Sequence, residues 1–274
     1  MKPLSSPWDS QIDTWCLTLR AAGRPSTTVR LRAKHVQQLA RWAKQPDPYA
    51  LVLADLIEYM AAHPWSLEMR RSVRSSLRMF FAWAVDSGHL EASPAVGLPA
   101  VPSRPPRPRP ASESAYLRAM AAAQPRERLM LRLAAEAGLR RGEVARAHSR
   151  DLYADLLGWS LRVRGKGDRV RIVPLTDSLA DELRSRPSGW AFPGADHGHL
   201  SAQWVGKIIG DLLPDGITMH SLRHRFATRA YATSADLLAV QQLLGHSSPA
   251  TTRAYVRVDE PRTRAIVESV GHAA

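Results

Sequence analysis

Residues 219–231, MHSLRHRFATRAY, set two histidines and three arginines among apolar positions. On a helix, His220, Arg223 and His224 fall at i, i+3 and i+4 on one face, with Leu222, Phe226 and Ala230 on a neighbouring one. Arginine is rarely buried without a partner. These cations therefore either meet carboxylates within the protein or line a cleft where an anion arrives from outside. Other residues of the same chemistry are scattered along the chain: Arg140 and Glu143 in AGLRRGEV, Lys166 in RGKGD, His246 in LLGHSS and Tyr255 in TTRAYVRV.

Several familiar chemistries find no support. The chain has no Gly-rich phosphate loop of the Walker type, no GxSxG elbow and no cysteine pair for zinc. DHGH at 196–199 and the pair His220 and His224 have ligand-like spacing but lack a neighbouring carboxylate or thiol at a suitable distance, so no metal site is expected. Carboxylates are too sparse for a two-metal nuclease.

Composition points to the anion. The 274 residues suffice for two modest domains, and 38 basic against 25 acidic residues give a net charge of +13 and a pI near 10.7. That excess suits a polyanion, most simply nucleic acid. Only five of the 38 basic residues are lysines, so an isolated lysine such as Lys166 stands out against an arginine background. The single cysteine, Cys16, lies in an apolar run and reads as a small core residue of a reducing cytoplasm. No apolar stretch approaches the roughly 18 residues of a membrane span.

The elements that must position these residues fall into three parts. Residues 1–97 read as all-helical, with Ser26 and Ser66 as caps and Gly88 as a stop. In the helix after Ser66, Val73, Leu77, Phe80, Phe81 and Ala84 form the apolar stripe, while Arg70, Arg74 and Arg78 recur every four residues on another face. Arg30, Lys34 and Arg41, four and seven residues apart, present a similar cationic face on the helix after Ser26. Like charges at this spacing disfavour a helix slightly, so an external partner, the DNA backbone, is expected to compensate. Residues 98–111, LPAVPSRPPRPRPA, form a proline-rich linker carrying Arg104, Arg107 and Arg109. Residues 112–274 read as α+β: helices at 112–123 and 125–137, a hairpin around GKGD, and further helices after Thr176, Ser201, Thr218 and Asp259. The whole is mainly α with a small antiparallel β-sheet.

The order Arg140, Lys166, His220, Arg223, His246, Tyr255, with Tyr255 nine positions beyond His246, resembles the catalytic domain of the tyrosine recombinase (phage integrase) family, over residues 112–260. The resemblance implies a two-domain recombinase, Xer-like or a simple integrase, with an all-helical core-binding domain ahead of an α+β catalytic domain and a C-terminal tail from about residue 259 to 274. It implies that Tyr255 attacks a DNA phosphodiester and forms a 3'-phosphotyrosyl link. His220 is then the base, His246 a phosphate ligand and Lys166 the acid for the leaving 5'-oxygen. Arg140 and Arg223 match the charge gathering on the phosphate oxygens. Glu143 would orient the cluster, and His224 would either support it or pack.

One phosphoester replaces another in this reaction, so neither ATP nor metal nor another cofactor is expected. The expected partner is a double-stranded DNA site, held by a homotetramer on paired sites and met by a monomer in solution. The expected setting is the cytoplasm, on the nucleoid, without membrane. Integration or excision of a mobile element is the leading role, with chromosome or plasmid dimer resolution as the alternative. A DNA-binding regulator without catalysis and a type IB topoisomerase-like enzyme are the rivals.

Overall fold

The computed structural model describes residues 6–43, 45–103, 109–165 and 169–245. The chain divides into two compact units, Met1–Pro105 and Pro106–Ala274.

Unit 1 is built from α1 (Ser6–Ala21), α2 (Ser26–Ala43), α3 (Leu53–Ala62) and α4 (Leu67–Asp86). Ser66 accepts from Met69 N–H at 3.2 Å, and Gly88, with φ +75°, follows the other end of the helix. The stripe Val73, Leu77, Phe80, Phe81 and Ala84 is fully buried, as are Val36 and Leu39 of α2. Trp8 and Trp15 of α1 close this core, Trp15 meeting Phe80 edge-on at 5.3 Å. Cys16 is buried among them.

The arginine row on α4 has acceptors within the unit. Arg70 donates to the carbonyls of Met60, His63 and Trp65 and so closes the end of α3. Arg74 holds Leu98 O with two nitrogens, at 3.1 and 2.7 Å, and Arg78 donates to Val96 O at 3.1 Å. The charges that the sequence assigns to an outside partner are thus offset in part by backbone dipoles. Leu98, the first residue of the proline-rich stretch, is buried in the core of this unit.

Unit 2 is organised around α6 (Pro125–Ala135), whose Leu129, Met130, Leu131, Leu133 and Ala134 are fully buried. Such burial on nearly every side marks a central helix. Around it lie α5 (Glu113–Ala122), α7 (Arg141–Ala145), α8 (Asp177–Arg184), α9 (Ala202–Leu212), α10 (Met219–Ser234) and α11 (Leu237–Leu244). Ser112, Thr176 and Ser201 cap α5, α8 and α9 through their hydroxyls. A three-stranded antiparallel sheet joins β1 (Leu152–Asp155), β2 (Gly158–Arg164) and β3 (Val170–Leu175) in that order. Leu161 pairs with Val173 across the β2–β3 hairpin, and both face the core. A short β4 (Pro193–Asp196) precedes α9. No helix among the described residues is long and apolar enough to cross a membrane.

Arg104, Arg107, Lys166, His246, Tyr255 and the tail 259–274 lie outside the described residues.

Candidate active site

The turn AGLRRGE decides where the first arginine points. After α6, Gly138 takes φ +67°, a conformation that only glycine adopts without strain. An added Cβ there would sit 2.5 Å from Phe226 Cδ1. The chain then extends through Arg140 into α7, where Glu143 reaches back to the Arg140 N–H at 2.8 Å and to its Nη1 at 2.8 Å.

Glu143 is the centre of the cluster. Its side chain is 2% exposed, and Arg171 of β3 meets it fork to fork, Nη1 to Oε1 at 2.8 Å and Nη2 to Oε2 at 2.7 Å. Arg223 Nη1 stands 3.8 Å from Oε2. Burial pushes the carboxyl up, but the hydrogen bonds and charge of Arg171, followed by those of Arg140, more than offset this and hold it down to about 2. One carboxylate therefore sits among three guanidinium groups, and the cluster keeps a positive excess.

Arg223 is 1% exposed and donates to Gly138 O and Leu244 O. Its neighbour Arg225 takes the other course open to a buried arginine, pairing with Glu113 at 2.7 Å, which Arg229 also meets. The cations of 219–231 thus divide between internal carboxylate partners and the cleft.

That cleft is a cavity of about 640 Å³, lined among others by Arg140, Arg141, Arg146, Gly165, His220 and Arg223. Gly165, following β2, lines the cavity wall, and its N–H donates to Arg169 O at 2.8 Å. His220 is lowered from its usual value by desolvation, then by the charges of Arg223 and Arg140. It is therefore neutral at pH 7 and able to accept a proton. His224 packs its ring against His220 at 4.2 Å, and its Nδ1 accepts from Arg109 N–H at 3.0 Å. Burial, then the His220 and Arg223 charges, push His224 down to about 4.

The structure brings Arg140, Glu143, His220, Arg223 and His224 of the sequence set together. Arg109 joins them through its backbone. Arg30 and Lys34 are exposed and Arg41 half-buried on α2 of the other unit. Arg171, Arg141 and Arg146 were not singled out from the sequence. For Arg171 a signal existed: it shares strand parity with Val173 and Leu175, which face the core, so an arginine there is an arginine pointing inward.

Residues 112–262 match the Phage integrase family. A tyrosine recombinase XerC from Methylobacterium sp. (strain 4-46) is 34% identical, the match covering 94% of this chain and 92% of the relative. The fold is similar to that of a lambda integrase (75–356) dimer bound to a COC' core site, with TM-score 0.72 and 19% identity over 92% of this chain and 99% of that one. A lambda integrase tetramer bound to a Holliday junction gives TM-score 0.71 and 20% identity over 88% and 77%.

Proposed function

This chain belongs to the phage integrase family and is a tyrosine recombinase, and we propose that it cuts and rejoins double-stranded DNA at specific sites through the cluster around Glu143. The observation that carries this reading is the charge imbalance of the cleft. Arg140, Arg171 and Arg223 surround one buried carboxylate, and a neutral His220 stands at the same cavity. A phosphodiester supplies the missing negative charge, and donors fixed before it arrives cost no reorganisation as its charge develops.

Arg140 and Arg223 bind the non-bridging oxygens of the scissile phosphate, joined by His246. The Tyr255 phenol, whose ordinary pKa is about 10, passes its proton to His220. Its oxygen then forms a bond to phosphorus while the bond to the 5'-oxygen breaks. Lys166 gives that oxygen a proton, leaving a 3'-phosphotyrosyl link and a 5'-hydroxyl. Attack by the 5'-hydroxyl of a second site reverses these steps and yields a Holliday junction. One phosphoester replaces another, so the exchange conserves bond energy.

Residues 1–97 form the helical DNA-binding domain, with Arg30, Lys34, Arg41, Arg70, Arg74 and Arg78 on the phosphate backbone. The stretch 98–111, with Arg104, Arg107 and Arg109, links it to the catalytic domain of 112–274. Four copies act on two paired sites, as the lambda integrase tetramer on its junction suggests, in the cytoplasm on nucleoid DNA. Integration or excision of a mobile element and resolution of chromosome or plasmid dimers use this same chemistry. The XerC relative, matching over nearly the whole chain, favours the second.

The test is to incubate the protein in EDTA with lightly nicked genomic DNA of its host, denature, and sequence what stays covalently attached. One discrete sequence is expected, absent with Tyr255→Phe. A sequence at the ends of an element supports integration, and one occurring once per replicon supports dimer resolution. DNA held tightly without any covalent product overturns the recombinase reading in favour of a non-catalytic clamp.

A further inference from the structure

The last carbonyls of a helix have no partner within it, and at α11 three different arginines fill that role. Arg171 of β3 donates from Nε to Leu243 O at 2.7 Å. Arg223 of α10 donates to Leu244 O, and Arg140, just before α7, donates from Nη2 to Gly245 O at 3.2 Å. Cations are also favoured there by the helix dipole. Gly245 caps the helix with φ +60°, and a Cβ on it would come within 3.0 Å of the Arg171 side chain. The next residue in the chain is His246.

Two of these arginines belong to the phosphate-binding set; the third does not. Both terminal nitrogens of Arg171 are engaged by Glu143, its Nε is engaged by Leu243, and its side chain is only 10% exposed. By contrast, the Arg140 side chain is 36% exposed at the cavity. Arg171 thus joins the carboxylate that aims Arg140 to the helix end from which the chain sets out toward His246.

We propose that Arg171 is a positioning residue for DNA cleavage: it locks the end of α11 to Glu143, so that the phosphate ligands Arg140, just before α7, and Arg223 of α10 share one geometry. The inference rests on the recombinase reading above. Lysine cannot replace this arginine, because a single ammonium lacks the planar fork that meets both carboxylate oxygens while a third nitrogen points elsewhere.

The experiment uses full-length protein and a nicked duplex bearing the sequence that the wild-type protein cleaves. Single-turnover adduct formation gives two numbers, the rate constant and the final amplitude, while fluorescence anisotropy on the same duplex gives affinity. For Arg171→Gln we expect a rate constant about 10- to 100-fold lower, by analogy with the partners that orient the ligands of metal sites, with affinity within about threefold of wild type. Arg171→Lys, which keeps the charge and folds more readily, falls between.

A misfolded fraction lowers the amplitude and leaves the rate constant alone, so a loss confined to amplitude in both variants overturns the proposal. Wild-type rate constants in either variant also overturn it. So does full recovery of Arg171→Gln on a duplex with a 5'-bridging phosphorothiolate, whose sulfur leaves without an acid, since the defect would then run through Lys166. If the wild-type protein forms no adduct on any DNA, the recombinase reading fails, an outcome separate from failure of Arg171 alone.

Discussion

Arg140 meets Glu143 twice, its backbone N–H donating to Oε2 and its Nη1 donating to Oε1, both at 2.8 Å. The carboxylate that closes the first turn of α7 is therefore also the group that aims the guanidinium. Arg171 approaches the same two oxygens from the sheet, so helix, strand and ligand side chain are referred to one buried group.

Removing that group has a large expected effect. Glu143→Ala leaves the neighbouring guanidinium groups without their counter-charge, and breaking a buried pair this way costs about 3–5 kcal/mol. Glu143→Gln keeps an acceptor but loses the charge and is expected to cost less while still slowing cleavage. Urea denaturation followed by near-ultraviolet circular dichroism checks this. A change below about 1 kcal/mol in Glu143→Ala would mean that the carboxylate does not hold the cluster together.

Gly138 offers a second lever on the same cluster. Its carbonyl accepts from Arg223, its φ is +67°, and a Cβ there meets the ring of Phe226 at 2.5 Å. Gly138→Ala combines backbone strain with a steric clash, and we expect a loss of more than about 2 kcal/mol. Arg223 should also lose its alignment, so cleavage should slow beyond what the unfolded fraction explains. A variant as stable as wild type would show that the turn has room to relax.

Much of this was legible beforehand, and the gaps have physical causes. Ser66, Thr176 and Ser201 announced their helices because a capping hydroxyl leaves a local trace. Arg140, Glu143, His220 and Arg223 stand out in the sequence through motifs whose order resembles the tyrosine recombinase family, and the fold gathers all four at one cavity. Arg171 leaves little trace in the sequence because its partners Glu143 and Leu243 are remote along the chain; strand parity is its one local signal. The α4 arginines show in the sequence as a charge row, but the backbone carbonyls at Val96 and Leu98 that accept from two of them leave no mark in a charge pattern. The strand β1, LYAD, was missed because its four residues are too short to show an alternation.

Acid should weaken the fold in two successive windows. His35 is fully buried between Arg32 and Ser76, and its Nε2 has no partner among the described residues. Burial, then the Arg32 and Lys34 charges, push it down to about 4 from an ordinary 6.5. Between those values the unfolded chain binds the extra proton, so stability falls as pH drops below about 6.5, by up to about 1.4 kcal/mol per pH unit. His224, also near 4, acts in the same direction in the other unit. Glu143, held near 2, adds its loss only below about 4.5, where the unfolded carboxyl begins to protonate. Thermal melts across about pH 2 to 8 followed by tryptophan fluorescence test this, and His35→Gln should flatten the upper window. A melting temperature unchanged between pH 6.5 and 4.5 would contradict the buried neutral state of His35.

The rate of cleavage should carry the signature of His220. Desolvation, then the Arg223 and Arg140 charges, lower its pKa, so in the free protein the neutral form persists to lower pH than in an ordinary imidazole. At subsaturating DNA the pH dependence reports groups of the free enzyme. We therefore expect adduct formation to fall toward about tenfold per unit on an acid limb centred below the ordinary imidazole value of about 6.5. With His220→Gln the rate should drop and that limb should vanish, because no proton acceptor remains at the position. An acid limb centred above pH 6.5 would mean that the cleft raises the imidazole instead. Such a result would assign His220 the work of a charged phosphate ligand, and the proton of Tyr255 would need another acceptor.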